Sequence, residues 1–227
     1  MNRRHDPIFT KLEAQRSRLL KDPTCLQVED FGAGSRLYQL RNRKVKDIAA
    51  SSLKPAKYAR LLHRMVEHYQ PTKVLELGTS LGVTTAYMAG ALPDGAELIT
   101  CEGAPAVAAK ARELFTEMQL PAVRLVEGNF DLTLPSLLRE LGKIDFAFID
   151  GNHREAPTLA YFKAILGHTH PTSILVFDDI HWSAGMEAAW KTISTHPAVS
   201  VSVDLFFIGI VFFSPDVKVQ QQFCIRY

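Results

Sequence analysis

From Lys73 onward the chain alternates between short apolar runs and stretches with helical spacing. The apolar runs Val74–Leu77, Glu97–Cys101, Val123–Val126, Ile144–Ile149 and Ser173–Phe177 read as buried strands. Between and after them, Thr84–Ala91, Pro105–Met118, Leu134–Leu141, Pro157–Leu166 and Ala184–Ser194 carry apolar residues at helical intervals. Strands alternating with helices of this length imply βαβ units and a parallel sheet covered on both faces. Val199–Phe207 and Ile208–Phe213 lie back to back around Ile208-Gly209 and read as a hairpin, which makes the last main strand antiparallel. Val219–Tyr227 offers one more edge strand. The fold class expected is therefore α/β, doubly wound and Rossmann-like. Its sheet has seven strands, mostly parallel, with an antiparallel last strand.

The front of the chain has a different texture. Ile8–Leu20 reads as a basic amphipathic helix, and Asp30-Phe31-Gly32-Ala33-Gly34-Ser35 as a turn. Ser51-Ser52 offers an N-cap, and Pro55 suits the first turn of a helix running to about Tyr69. The division expected is a basic, partly helical extension over 1–51 and a cofactor-binding domain over 52–227.

Composition adds class and compartment. With 227 residues, 47% apolar and 22% charged, the chain suits an ordinary globular domain. No apolar run reaches membrane-spanning length, and residues 1–10 lack the apolar core of a secretion signal. Cys25, Cys101 and Cys224 match neither a metal spacing nor a disulfide framework, so a cytoplasmic setting is expected. Residues 1–64 hold 15 Lys and Arg against 6 Asp and Glu. That balance suits an anionic partner such as phosphate, a CoA-like group or RNA, or equally a set of solvated helix faces.

The first strand runs into Glu76-Leu77-Gly78-Thr79-Ser80-Leu81-Gly82 before a helix. Ligands of such sheets bind at the carboxyl ends of the strands. A nicotinamide-type loop would need glycine where Ser80 and Val83 stand, and no Gly-Lys-Ser/Thr cradle for phosphate is present. Glu76 suits a cationic ligand better than a pyrophosphate. Glu102, 24 residues after Gly78 at the end of the second strand, suits two ribose hydroxyls. Glu76, Gly78, Ser80, Gly82 and Glu102 in this order favour S-adenosylmethionine. After the third strand, Asn129 and Phe130 suit the adenine edge and ring, or a turn with Phe130 in the core.

The fourth strand ends in Asp150-Gly151-Asn152-His153 and the fifth in Asp178-Asp179-Ile180-His181-Trp182. Parallel strands bring Asp150, Asp178 and Asp179 to one rim with His153 and His181. Three carboxylates there suit a hard divalent cation such as Mg²⁺. Such an ion acidifies and orients a hydroxyl, and a histidine beside it takes a proton near neutral pH. The alternatives are plain: an aspartate that only caps the next helix, and a histidine that only decorates a loop.

The stretches Glu76–Thr84, Phe148–His153 and Phe177–Trp182 resemble the catechol and caffeoyl-CoA O-methyltransferase group of class I methyltransferases. That group also lacks the middle glycine of the loop and also ends in an antiparallel hairpin. The resemblance covers roughly Ser52 to Phe213. It implies S-adenosylmethionine near Glu76 and Gly78, its ribose on Glu102, and metal ligands at Asp150, Asp178 and Asp179. The group often has asparagine at the third ligand and lysine as base; this chain has Asp179 and His153. The expected reaction is methyl transfer to a hydroxyl of a small-molecule acceptor, with Asp150 and His153, or else His181, at the reacting centre. Trp182 and the Phe31–Ser35 loop would wall the acceptor. Members of the group are often dimeric, so a homodimer is one expectation. An RNA nucleoside methyltransferase and a non-catalytic cofactor-binding module are the alternatives.

Overall fold

The computed structural model describes residues 7–30 and 39–227. Phe31–Ser35, expected as a turn beside the acceptor, lies outside the described residues. The chain forms two compact units, 1–72 with 79–130 and 73–78 with 131–227.

The first unit begins with helix α1 (Pro7–Leu19), then strands β1 (Cys25–Asp30) and β2 (Gln39–Lys44), helix α2 (Val45–Ser52) and helix α3 (Ala56–Tyr69). Strands β1 and β2 pair antiparallel. The unit continues with α4 (Val83–Ala89), β4 (Glu97–Glu102), α5 (Pro105–Glu117) and β5 (Val123–Glu127), β4 and β5 pairing parallel. Phe9, Leu12 and Leu19 of α1 and Val45, Ile48 and Ala49 of α2 share one core with Val83, Ala86 and Tyr87 of α4 and Ala111, Leu114 and Phe115 of α5. The amphipathic front helix is thus present, and its apolar stripe is buried.

Ser51 and Ser52 are not an N-cap. They are the last turn of α2, and the Ser52 hydroxyl donates back to the Ile48 carbonyl at 2.8 Å. Such back-bonding competes with capping for the same hydroxyl. Helix α3 starts behind Pro55 with no side-chain cap.

The second unit holds β3 (Lys73–Leu77), α6 (Phe130–Leu141, its first residue in the other unit), β6 (Phe146–Ile149), α7 (Glu155–Leu166), β7 (Ile174–Asp178), α8 (Ala184–Ser194), β8 (Val201–Asp204), β9 (Ile208–Phe212) and β10 (Gln221–Cys224). Strands β3, β6 and β7 are parallel neighbours, buried almost throughout, as continuous apolar runs require. Strand β9 runs antiparallel to both β7 and β8. Of the eight strands of the main sheet, six lie here in the order β10-β8-β9-β7-β6-β3, and β4 and β5 lie in the first unit. The α/β fold with a mostly parallel sheet stands as expected. The count is eight rather than seven because Gln221–Cys224 adds an edge, parallel to β8. The antiparallel strand is therefore β9, and it is not the last.

The hairpin turn falls before Ile208, not at Ile208-Gly209. The Leu205 N–H donates to the Ile208 carbonyl at 2.9 Å, and Phe206 takes a left-handed φ of 73°. Gly209 sits inside β9, where a Cβ would come within 2.5 Å of the Trp190 ring. The glycine makes room for an indole rather than a turn. Among the described residues, no helix is long and apolar enough to cross a membrane.

Candidate functional site

In the first unit the carboxyl end of β4 organises the loop before α4. One oxygen of Glu102 accepts the Ser80 N–H at 2.8 Å and the other accepts the Ala104 N–H at 2.9 Å. Burial pushes the Glu102 carboxyl up, and these backbone donors pull the other way. The side chain is therefore fixed in place by backbone amides from both sides. The Thr79 N–H donates to the Cys101 carbonyl at 3.0 Å, which ties the loop to the same strand end.

Ser80 lies in the left-handed region at φ 48°. Its hydroxyl is 2.8 Å from that of Ser52. Ser52 spends its only hydroxyl proton on Ile48, so Ser80 is the donor of this pair. Gly82 has φ 79°, and a Cβ there would lie 2.7 Å from the Phe115 ring. Its need for glycine is backbone conformation and packing together. Asn129 and Phe130 follow β5 half-buried. Phe130 opens α6 and is not part of the apolar core.

In the second unit Glu76 is fully buried on β3. Gly78 follows it at φ 109°, and a Cβ would stand 2.0 Å from the Asp150 carbonyl oxygen. The Asp150 N–H in turn donates to the Leu77 carbonyl at 2.8 Å. Only glycine lets the end of β3 pass the end of β6 this closely. That contact sets the height at which Asp150 emerges.

Asp150 follows β6, and Asp178 ends the neighbouring parallel strand β7, only 1% exposed. One oxygen of each and one ring nitrogen of His153 lie within 4.8 Å of one another. The His153 Nε2 is 3.6 Å from an Asp150 oxygen, and its Nδ1 is 3.9 Å from an Asp179 oxygen. The imidazole thus stands between two carboxylates, beyond direct hydrogen bonding to either. Asn152, His153 and Asp179 all take left-handed backbone, at φ 71°, 30° and 52°. Residues held this way cost of order 1–3 kcal/mol each and cluster at functional sites.

The expected cation ligands were Asp150, Asp178 and Asp179. The set that converges here is Asp150, His153 and Asp178, with Asp179 on the far side of the ring. Two carboxylates and an imidazole are a chemically sound donor set for a divalent ion, so the residues present fit one.

Neighbours brace the loop after β6. The Arg154 Nε donates to the Asn152 side-chain oxygen at 2.8 Å, and the Asn152 amide donates to the Tyr161 hydroxyl at 3.1 Å. That hydroxyl donates to Asp131 at 3.0 Å. Nothing in the sequence singled out Tyr161 or Asp131, because their partners are 9 and 30 residues away.

His181 is engaged elsewhere. Its Nε2 is 2.8 Å from Asp204 and its Nδ1 3.2 Å from Glu187, and Phe206 stacks on its ring at 5.3 Å. Burial alone would lower its pKa, but the two carboxylates outweigh that and raise it. A ring with a carboxylate on each nitrogen has no site left to take a substrate proton. Trp182 is 73% exposed, so its side chain is not packing for the core.

Residues 75–180 match the model of a methyltransferase domain. A catechol O-methyltransferase from Niastella koreensis is 33% identical over 123 residues, 53% of this chain and 55% of that protein. Catechol O-methyltransferase B from Danio rerio is 38% identical over 40% of this chain and 35% of its own length. The chain thus spans about half or less of the length of the curated relatives it matches. Among solved structures, an O-methyltransferase from Bacillus cereus in complex with S-adenosylhomocysteine superposes with a TM-score of 0.64 at 19% identity, covering 91% of each chain. Residues 75–180 are thus similar to a methyltransferase domain, and the chain shares the fold of the solved O-methyltransferases that superpose on it.

Proposed function

We propose that the protein moves a methyl group from S-adenosylmethionine to a hydroxyl oxygen of a small-molecule acceptor. The observation that carries this reading is the convergence of Asp150, His153 and Asp178 just beyond two adjacent parallel strands. The kinship with catechol O-methyltransferases supports it.

Glu102 takes the ribose hydroxyls of the cofactor, in a position already set by the Ser80 and Ala104 amides. Asn129 and Phe130 meet the adenine, and Glu76 and Gly78 lie toward the methionine part. When bound, S-adenosylmethionine supplies a methyl whose bond electrons return to sulfur as a carbon–oxygen bond forms to the acceptor. His153 takes the acceptor's hydroxyl proton, and the flanking Asp150 and Asp179 stabilise the positive charge the ring gains. Asp150 and Asp178, whose carboxylates converge, would hold a divalent cation, which would supply charge stabilisation and orientation to the acceptor oxygen. Were His153 itself a ligand, it could not also accept the proton. Trp182 walls the acceptor. The rest of the rate is positioning, which is worth up to roughly 7–11 kcal/mol in well-oriented reactions.

The test is release of S-adenosylhomocysteine from S-adenosylmethionine with catechol as probe acceptor, in Mg²⁺, in Mn²⁺ and in EDTA. Turnover is expected with metal, reduced by EDTA. The Asp150→Asn variant is expected to lose on the order of 10²–10⁴-fold in kcat. Near-normal turnover of that variant would remove the site assignment. Cofactor binding without turnover on any hydroxyl acceptor would leave a binding module.

A further inference from the structure

Between Asp150 and the α7 helix the chain makes a turn in which Asn152 and His153, consecutive and neither of them glycine, both take left-handed backbone, at φ 71° and 30°. Such backbone persists only where the surrounding structure holds it. Here a chain of four side chains does so, and its two ends fix its direction. Arg154 can only donate, so the Asn152 atom 2.8 Å from its Nε is the amide oxygen. The Asn152 nitrogen then donates to the Tyr161 hydroxyl at 3.1 Å. That hydroxyl donates to the Asp131 carboxylate at 3.0 Å. The order Arg154, Asn152, Tyr161, Asp131 runs from a cation to an anion, and every bond in it points the same way. Charged ends strengthen such bonds.

Tyr161 is an inner member of this chain and only 3% exposed, on α7. Packing alone would be met by phenylalanine, as it is at the adjacent Phe162, 1% exposed. The hydroxyl is what joins the Asn152 amide to Asp131. Burial pushes its pKa up, Asn152 pulls it down and Asp131 pushes it up again, so the hydroxyl keeps the proton it donates. The anchored amide belongs to the residue immediately before His153 and two after Asp150, whose side chains approach to 3.6 Å.

We infer that Tyr161 is a positioning residue for methyl transfer: with Asp131 it anchors the Asn152 amide, and so holds the left-handed turn that presents Asp150 and His153 together. This rests on the reaction proposed above. In this role Tyr161 touches neither reactant and acts through Asn152 alone.

The experiment compares the wild type, Tyr161→Phe, Asn152→Gly and the double variant. Glycine removes the amide yet suits the φ of 71°. Three quantities are read: kcat and KM for S-adenosylmethionine with catechol and Mg²⁺, Mn²⁺ affinity by electron paramagnetic resonance without cofactor or acceptor, and stability in urea. Tyr161→Phe is expected to lower kcat and to weaken Mn²⁺ binding, each roughly tenfold or more, the scale for groups that orient site residues. Its KM for S-adenosylmethionine is expected to stay within about twofold of wild type. The double variant is expected to match Asn152→Gly, because the tyrosine acts through that amide. Additive losses in the double variant overturn the inference. So do wild-type kcat and Mn²⁺ affinity in Tyr161→Phe; a loss of urea stability alone makes Tyr161 a packing residue. A wild type that binds Mn²⁺ but turns over no hydroxyl acceptor defeats the proposed reaction instead, and the Mn²⁺ comparison still decides whether Tyr161 anchors the turn.

Discussion

At the scale of single residues, the site is set by groups whose sequence signal was strong in type and weak in geometry. Gly78 was legible as a loop glycine, but its reason is the Asp150 carbonyl, 72 residues away, on which a Cβ would collide. Asp150, Asp178 and His153 were legible because they follow buried strands. Which of them converge was not, since that depends on the left-handed backbone at His153 and Asp179. His181 looked equivalent to His153 in the sequence. The difference lies in Asp204 and Glu187, 23 and 6 residues away, which no local pattern reveals. Those carboxylates give His181 a measurable signature. Its pKa is raised in the folded chain, so the pair stabilises the fold fully below the unfolded value, about 6.5, and loses that contribution as pH climbs through the folded value. Thermal melting is expected to show stability falling as pH rises through this window. The slope should flatten in His181→Asn, and an unchanged slope would mean the ring is not protonated on folding.

At the scale of elements, regular periodicity was read correctly and irregular starts were not. The five parallel strands and the helices α5, α7 and α8 lie close to their expected ranges. Helix α6 begins at Phe130, four residues before the expected start, and Pro135 lies inside it. Strands β1 and β2 were missed: Gln39-Leu40-Arg41-Asn42-Arg43-Lys44 has one apolar residue in six, and only the Leu26 and Val28 alternation hinted at a strand. Capping gives this scale its test. Ser183, the residue before α8, accepts the Met186 N–H on its hydroxyl at 3.2 Å. Ser183→Ala is expected to cost about 1 kcal/mol in urea unfolding with an unchanged m-value. No loss would show that the cap is not formed in solution.

At the scale of the whole molecule, the basic front section, expected as a partly helical extension, packs residues of α1 and α2 into a core. Leu12 of α1 is fully buried, in one cluster with residues of α4 and α5. Leu12→Ala is expected to destabilise by roughly 2–5 kcal/mol, as core leucine truncations do; a cost under about 0.5 kcal/mol would show the helix to be an undocked arm. The same docking places Ser52 at the end of α2 against Ser80 of the candidate cofactor loop.

The measurement that tests the account most directly is calorimetric titration of the wild type and of Glu102→Ala with S-adenosylhomocysteine. The account expects micromolar binding by the wild type and a loss of at least about tenfold in the variant, because the two ribose hydroxyls lose a carboxylate. Equal binding by both proteins would displace the ribose from Glu102, and no binding by the wild type would contradict the methyltransferase assignment.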